Sequence, residues 1–187
     1  MSEPVLEGLC IARAEFARRL AAVNDWDAAT PCGDWNVRQL VNHVVGQEYR
    51  FARSLSGGSL DEYVASRDDD FLGGDPVSAW RKGVRLLDQA VQRLDGLDSI
   101  IAWRLPMPAR EILAARIFEA TVHTWDLSRA IGFDERLDER LVTITLTVFE
   151  WLAELPGFAE MFEAPTHSLA EDAPLQARLL HLAGREP

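Results

Sequence analysis

Hydrophobic residues along this chain recur every three to four positions, the repeat that gives an α-helix one apolar face. Leu6, Leu9, Ile11, Phe16, Leu20 and Val23 trace such a face across residues 5–23, with arginines and glutamates between them. The stretch 24–35, NDWDAATPCGDW, breaks the repeat; Pro31, Gly33 and its Asp and Asn residues predict an ordered loop. A second face, Val37, Leu40, Val41, Val44, Val45, Phe51 and Leu55, predicts a helix over 37–55. Asn36 and Gln39 supply its capping box, and Gly57-Gly58 ends it.

Further elements follow the same logic. Asp75-Pro76 is a cap followed by a first-turn proline, so a third long helix is expected over 76–94, closed by Gly96. Residues 99–107 lean toward a short strand or extended loop. A fourth helix is predicted over 109–131, ending at Gly132. A fifth covers 138–155 and stops at Pro156-Gly157, although its core LVTITLTVF has strand-like propensity. A short last helix spans 174–183, before Gly184. Residues 61–75 hold six acidic side chains and one base, Arg67, and read as a solvated loop. Their DDDFLGGD run lacks the alternating spacing of a calcium loop. With no internal repeat and no linker, residues 1–187 are expected to form one domain. The expected class is all-α: a four-helix bundle with short additional helices.

Composition narrows the partners. Hydrophobic residues make up 48% of 187 and charged residues 26%, the balance of a globular chain. The net charge of −11 works against nucleic-acid phosphates and anionic membrane surfaces, so neither is an expected partner. No apolar run reaches the ~20 residues that span a bilayer. Two cysteines, Cys10 and Cys32, make no disulfide framework, and the start MSEPVLEG has no signal-like core. A cytoplasmic, reduced location is expected. The six tryptophans (26, 35, 80, 103, 125 and 151) are expected to anchor a bundle with a cavity, not to form a base-stacking surface.

Candidate chemistry centres on the fourth predicted helix. Glu119 and His123 stand one turn apart on it, a spacing by which a bundle presents two metal ligands from one helix. Glu163 and His167 share the spacing, but Pro165 between them works against a common helix face. The segment around Glu119 and His123 is apolar nearly all round, so its carboxylate needs a buried partner. A divalent cation is one; Arg116, or a plain Glu–His hydrogen bond, is another. His43, at the edge of the second helix's apolar stripe, offers a third ligand, and Gly46 one turn later allows close approach. Three protein ligands leave a coordination position open, which suits catalysis. Asp126 is placed to fix the His123 ring or to bond a nearby loop. Trp35 and Trp125 flank the ligand helices; Cys32 is either a reactive thiol or a small buried hydrophobe; Arg38 and Arg50 are candidate anion-steering groups or surface arginines.

Three segments carry a family likeness: TPCGDWNVRQLVNHVVGQ (30–47), EATVHTWDLSRAIG (119–132) and APLQARLLHLAGREP (173–187). In this order they resemble the metal-binding domain of mycothiol-dependent maleylpyruvate isomerase. They resemble more closely the short stand-alone actinobacterial proteins built on that domain, within the DinB superfamily. The resemblance implies a DinB-like up-down four-helix bundle with a long crossover. It also implies a divalent metal held by His43, Glu119 and His123: zinc first, with nickel, iron or manganese open. The full isomerase has a further C-terminal domain that this chain is expected to lack, so maleylpyruvate isomerisation is not the expected reaction. A thiol transferase-like enzyme is, acting on a small-molecule substrate with a low-molecular-weight thiol such as mycothiol. A non-catalytic small-ligand binding or interaction module is the alternative. The sequence leaves the assembly state open, a homodimer included.

Overall fold

The structure is a computed structural model, and it describes residues 2–102, 106–153, 169–170 and 172–186. The elements are α1 (Ser2–Leu20), α2 (Val37–Leu55), α3 (Leu60–Ala65), α4 (Pro76–Gln92), β1 (Ile100–Ala102), β2 (Pro106–Pro108), α5 (Ala109–Ala130), α6 (Glu139–Leu152) and α7 (Leu175–Leu182). The all-α expectation holds, and every predicted long helix is present within a few residues of its expected bounds. The Asn36–Gln39 capping box closes in both directions. Asp75 accepts from the Ser78 amide with Pro76 in the first turn of α4. Among the described residues no helix is long and apolar enough to cross a membrane.

The ends and exceptions have physical causes. Helix α1 begins at Ser2, ahead of the expected start, and stops at Leu20. The acidic stretch is not all loop: Ser59 and Glu62 form a second capping box, which nucleates the six residues of α3. The β-leaning stretch forms an antiparallel pair, Ile100 opposite Pro108 and Ala102 opposite Pro106. Trp103, between those strands, lies outside the described residues, as do the Glu163–His167 pair and the predicted helix end at 154–155. Strand-like LVTITLTVF is helical in α6. Its threonine hydroxyls donate back to carbonyls one turn earlier, and Leu141, Val142, Thr145, Val148, Phe149 and Leu152 form one buried face.

Helices α1, α5, α2 and α4 pack in that order around a ring, with α4 returning to α1. Sequence neighbours α1 and α2 therefore stand across the ring from each other, and so do α4 and α5. The loop 21–36 makes the first of these crossings. Helix α6 packs on α5 and α1, and α7 packs on α6. Helix α5 thus has neighbours on most sides, which explains its nearly continuous burial from Ile112 to Ser128.

A buried ion network ties the ring together. Glu48 of α2 is fully buried, and its carboxylate accepts from Arg13 of α1 (2.5 Å) and pairs with Arg116 of α5 (2.9 Å). Arg13 also reaches Asp88 of α4, at 2.6 Å. All four ring helices meet through these side chains. Removing one partner of a buried pair leaves the other charge uncompensated, at a cost of about 3–5 kcal/mol. Glu48→Ala is therefore expected to lower unfolding stability by about that amount in urea titrations. Arg136→Ala, at an exposed pair with Asp134, is expected to leave the transition in place.

Candidate metal centre

Helices α2 and α5 are ring neighbours, and the two candidate ligand segments face each other across that contact. On α2, Leu40 and Val44 are buried against the core, which turns His43 to the edge of the α2–α5 seam. On α5, Glu119 and His123 project toward the same place one turn apart. The His43 Nε2 atom lies directly against Glu119 Oε1. The His43 and His123 rings stand nearly perpendicular, with centroids 5.2 Å apart. One ligand-type atom from each of His43, Glu119 and His123 lies within 4.8 Å of the others. The cluster is not sealed: the His43 side chain keeps 27% of its surface and Glu119 keeps 16%.

Hydrogen bonding around the cluster is asymmetric. Glu119 Oε2 accepts from Arg116 Nη1 at 3.0 Å. Glu119 Oε1 is buried, and its contact with the His43 nitrogen is an ion-pair contact without regular hydrogen-bond geometry. Among the described residues only one other buried side-chain atom, Arg110 Nε, is left without a hydrogen bond. A buried carboxylate oxygen calls for a partner, and here the neighbour in contact with it is the His43 ring. Between two imidazoles, that oxygen fits a divalent cation with mixed nitrogen and oxygen donors.

His123 is held from behind. Its Nδ1 lies 2.9 Å from Asp126 Oδ2, and Asp126 is itself fully buried. Arg185, in the segment after α7, clamps that carboxylate through Nε (3.1 Å) and Nη2 (2.8 Å). Of the two expectations for Asp126, contact with the imidazole is the one found. With Nδ1 engaged, Nε2 is the nitrogen left for a ligand.

The electrostatics follow from these contacts. Burial pushes the Glu119 carboxyl up, but the His43 ring and the Arg116 guanidinium outweigh it and hold the group at about 2. Burial pushes His123 down, but hydrogen bonds to Asp126 and Cys32 outweigh it and raise the ring to about 9. His43 lies below the ordinary histidine value, chiefly through burial. Burial also works to raise Asp126, while His123 and Arg185 keep it below the usual carboxylate range.

Other candidates fall on both sides of the site. Trp35 covers it, 4.8 Å from the His43 ring and 6.1 Å from His123. Trp125 does not: it belongs to the core shared with α6 and α7, under the Arg129 guanidinium. Cys32 is half-buried and stands beside His123 and Asp126. Arg38 is exposed and turned to Asp70, away from the cluster. Arg50 is no surface arginine. It is buried, donating to Gln47, to the Ser66 carbonyl and to the His43 carbonyl. The close approach expected at Gly46 is made by Phe71 and Arg50, not by α5; a Cβ there would lie 2.7 Å from the Phe71 ring. Arg185, 59 residues from Asp126, was beyond any local pattern. A cleft of about 720 Å³ opens between α2, α3 and α4, lined by Tyr49, Arg53 and Arg93 among others, and contains none of the three clustered residues.

Comparison with known proteins now decides the family. The model of the mycothiol maleylpyruvate isomerase N-terminal domain matches residues 9–128, well over half of the chain. The chain belongs to this family. All three clustered side chains lie inside the matched span. Uncharacterised proteins from two strains of Mycobacterium tuberculosis are 24% identical over 168 residues, covering 87% of this chain and 84% of theirs. The crystal structure of the mycothiol-dependent maleylpyruvate isomerase shares the fold, with a TM-score of 0.60 at 17% identity, over 82% of this chain and 72% of that one. A histidine-to-alanine mutant of that enzyme aligns at a TM-score of 0.61. This chain is thus a maleylpyruvate isomerase-like family domain with the helical DinB-type fold.

The His123–Asp126 contact predicts a pH signature for the metal-free family domain. A folded-state value near 9 lies above the ordinary 6.5. That contribution to stability is fully present below pH 6.5 and is lost as pH rises through about 9. In an NMR titration the His123 ring is expected to remain protonated through neutrality. Asp126→Asn is expected to bring its midpoint back down; an unchanged midpoint would contradict the assignment of Asp126 as its cause.

Proposed function

We propose that His43, Glu119 and His123 hold a divalent cation, and that the protein is a metal-dependent enzyme acting on a low-molecular-weight thiol. The observation that carries this reading is the convergence of His43, Glu119 and His123 from two helices, with one donor atom of each within 4.8 Å of the others. Zinc suits this donor set best, and nickel, iron and manganese also take it. A bound cation supplies Lewis acidity, under which a coordinating thiol is deprotonated at neutral pH. The reaction class is formation of a carbon–sulfur bond between that thiol and an electrophilic small molecule. The name of the family makes mycothiol the first thiol to test.

The chain's own residues divide the work. Arg116 keeps Glu119 ionised and occupies its second oxygen, leaving Oε1 for the cation. Asp126, clamped by Arg185, fixes the His123 ring with Nε2 facing the cluster. Trp35 shields the His43 side from bulk water. The reading treats residues 1–187 as one domain, since α6 and α7 extend the core built on α5.

Metal analysis tests the ligand set. Bound metal is expected in the purified protein and is expected to be lost from a His43→Ala, Glu119→Ala, His123→Ala variant; equal content in both sinks the proposal. Metal binding must also displace a proton from His123 at neutral pH. Calorimetry in buffers of different ionisation enthalpy is expected to detect that release, and to detect less of it in Asp126→Asn. Thiol consumption with mycothiol and a panel of electrophiles separates an enzyme from a binding module: metal without turnover favours the module.

A further inference from the structure

Among the described residues, the buried arginines are Arg13, Arg19, Arg50 and Arg116. All but one of them sit on a carboxylate: Arg13 and Arg116 share Glu48, and Arg19 meets Glu15. Arg50 is the exception. Its acceptors are neutral, the Gln47 amide oxygen and the Ser66 and His43 carbonyls. The rings of Tyr63 and Phe71 flank it, with centroids 5.6 and 5.3 Å from the guanidinium carbon. These bonds use Nε–H and a single N–H of each terminal nitrogen. The other N–H of each terminal nitrogen has no acceptor among the described residues.

A buried cation without a counter-charge is costly. Burial pulls Arg13 down, yet Glu48 outweighs it and holds that guanidinium above its ordinary value. Burial leaves Arg50 below its ordinary value.

Arg50 also lines the cleft of about 720 Å³ between α2, α3 and α4. The other charged side chains of that lining are Arg53, Arg93, Glu62 and Asp69. Arg53 and Glu62 pair with each other, which sets Arg50 and Arg93 against the carboxylate of Asp69 alone. Tyr49, Phe71 and the exposed Leu86 add apolar surface to the lining. The cleft contains none of His43, Glu119 and His123, so it is distinct from the cation site proposed above.

We propose that this cleft binds a small carboxylate with an apolar or aromatic body. The carboxylate supplies the counter-charge that Arg50 lacks and accepts from its unused N–H groups, a match of planar fork to planar anion. Arg93 adds a second positive charge, and the body of the ligand lies on Tyr49, Phe71 and Leu86.

Benzoate titrated into the isotope-labelled full chain tests the site, with benzyl alcohol as its uncharged counterpart. Saturable NMR shifts are expected at the Arg50 Nε–H and at the Gly57 and Gly58 amides with benzoate, and not with benzyl alcohol. Arg50→Lys keeps the charge, loses the fork, and is expected to weaken benzoate binding by about tenfold or more. Leu86→Glu puts a carboxylate in the cleft wall and Arg93→Gln removes a cation; each is expected to weaken binding severalfold. Both positions are exposed, so these variants carry the test if circular dichroism shows Arg50→Lys unfolded. Binding is expected to persist after chelator treatment of the protein; its loss would move the anion to a bound cation and overturn the proposal. Equal shifts with benzyl alcohol, no saturable shift at these groups, or wild-type affinity in both Leu86→Glu and Arg93→Gln would overturn it as well.

Discussion

The fully buried Glu48 carboxylate is the constraint on which the arrangement depends. An isolated charge in that position would be intolerable, so Arg13 and Arg116 must reach it together. Helices α1, α2 and α5 are thereby fixed in register, and Asp88 brings in α4 through Arg13. Arg116 continues the chain of charge to Glu119, one turn along α5. The carboxylate at the cluster is therefore oriented by the same network that sets the helix register. Hydrophobic burial supplies most of the driving force, but it is non-directional. The ion network is directional: it joins α2 to α5 through Glu48 and Arg116, and Arg116 holds the Glu119 carboxylate that faces His43.

Helix α5 shows how a nearly apolar segment can carry so many polar side chains. Each is matched to a different neighbour. Arg116 meets Glu48 on α2, Thr121 meets Thr145 on α6, Ser128 accepts from Arg19 on α1, and Asp126 meets Arg185 beyond α7. Glu119 alone in this series retains a buried atom without a hydrogen bond. Its nearest neighbour is the His43 imidazole, which reaches across from α2 at the solvent-connected seam.

The fold was legible because its signals are local. Periodicity, the Asn36–Gln39 capping box, the Asp75-Pro76 start and Gly132 each act within a few residues. The Ser59–Glu62 box was equally local, but the surrounding acidic residues masked it. Threonines in α6 spoke for a strand until tertiary burial and back-bonded hydroxyls overrode them. At the candidate site, the Glu119–His123 spacing and the position of His43 could be read directly. Arg185, Glu48 and Arg13 could not, since each meets its partner from 35 residues away or more. Likewise, chain order gives no sign that Trp125 turns away from the cluster while Trp35 turns over it.

The Arg185 clamp has a consequence for how such sites diverge. The residues that form the cluster lie within the span shared by the family, whereas the guanidinium governing the His123 ring lies well beyond it, after α7. A change at Arg185 acts on the His123 ring at the α2–α5 seam through the Asp126 carboxylate, from outside the four ring helices. Relatives with the same four helices and the same three side chains can thus differ in proton affinity at the cluster. Arg185 thereby couples α7, whose Leu180 carbonyl accepts its amide, to the imidazole at the seam.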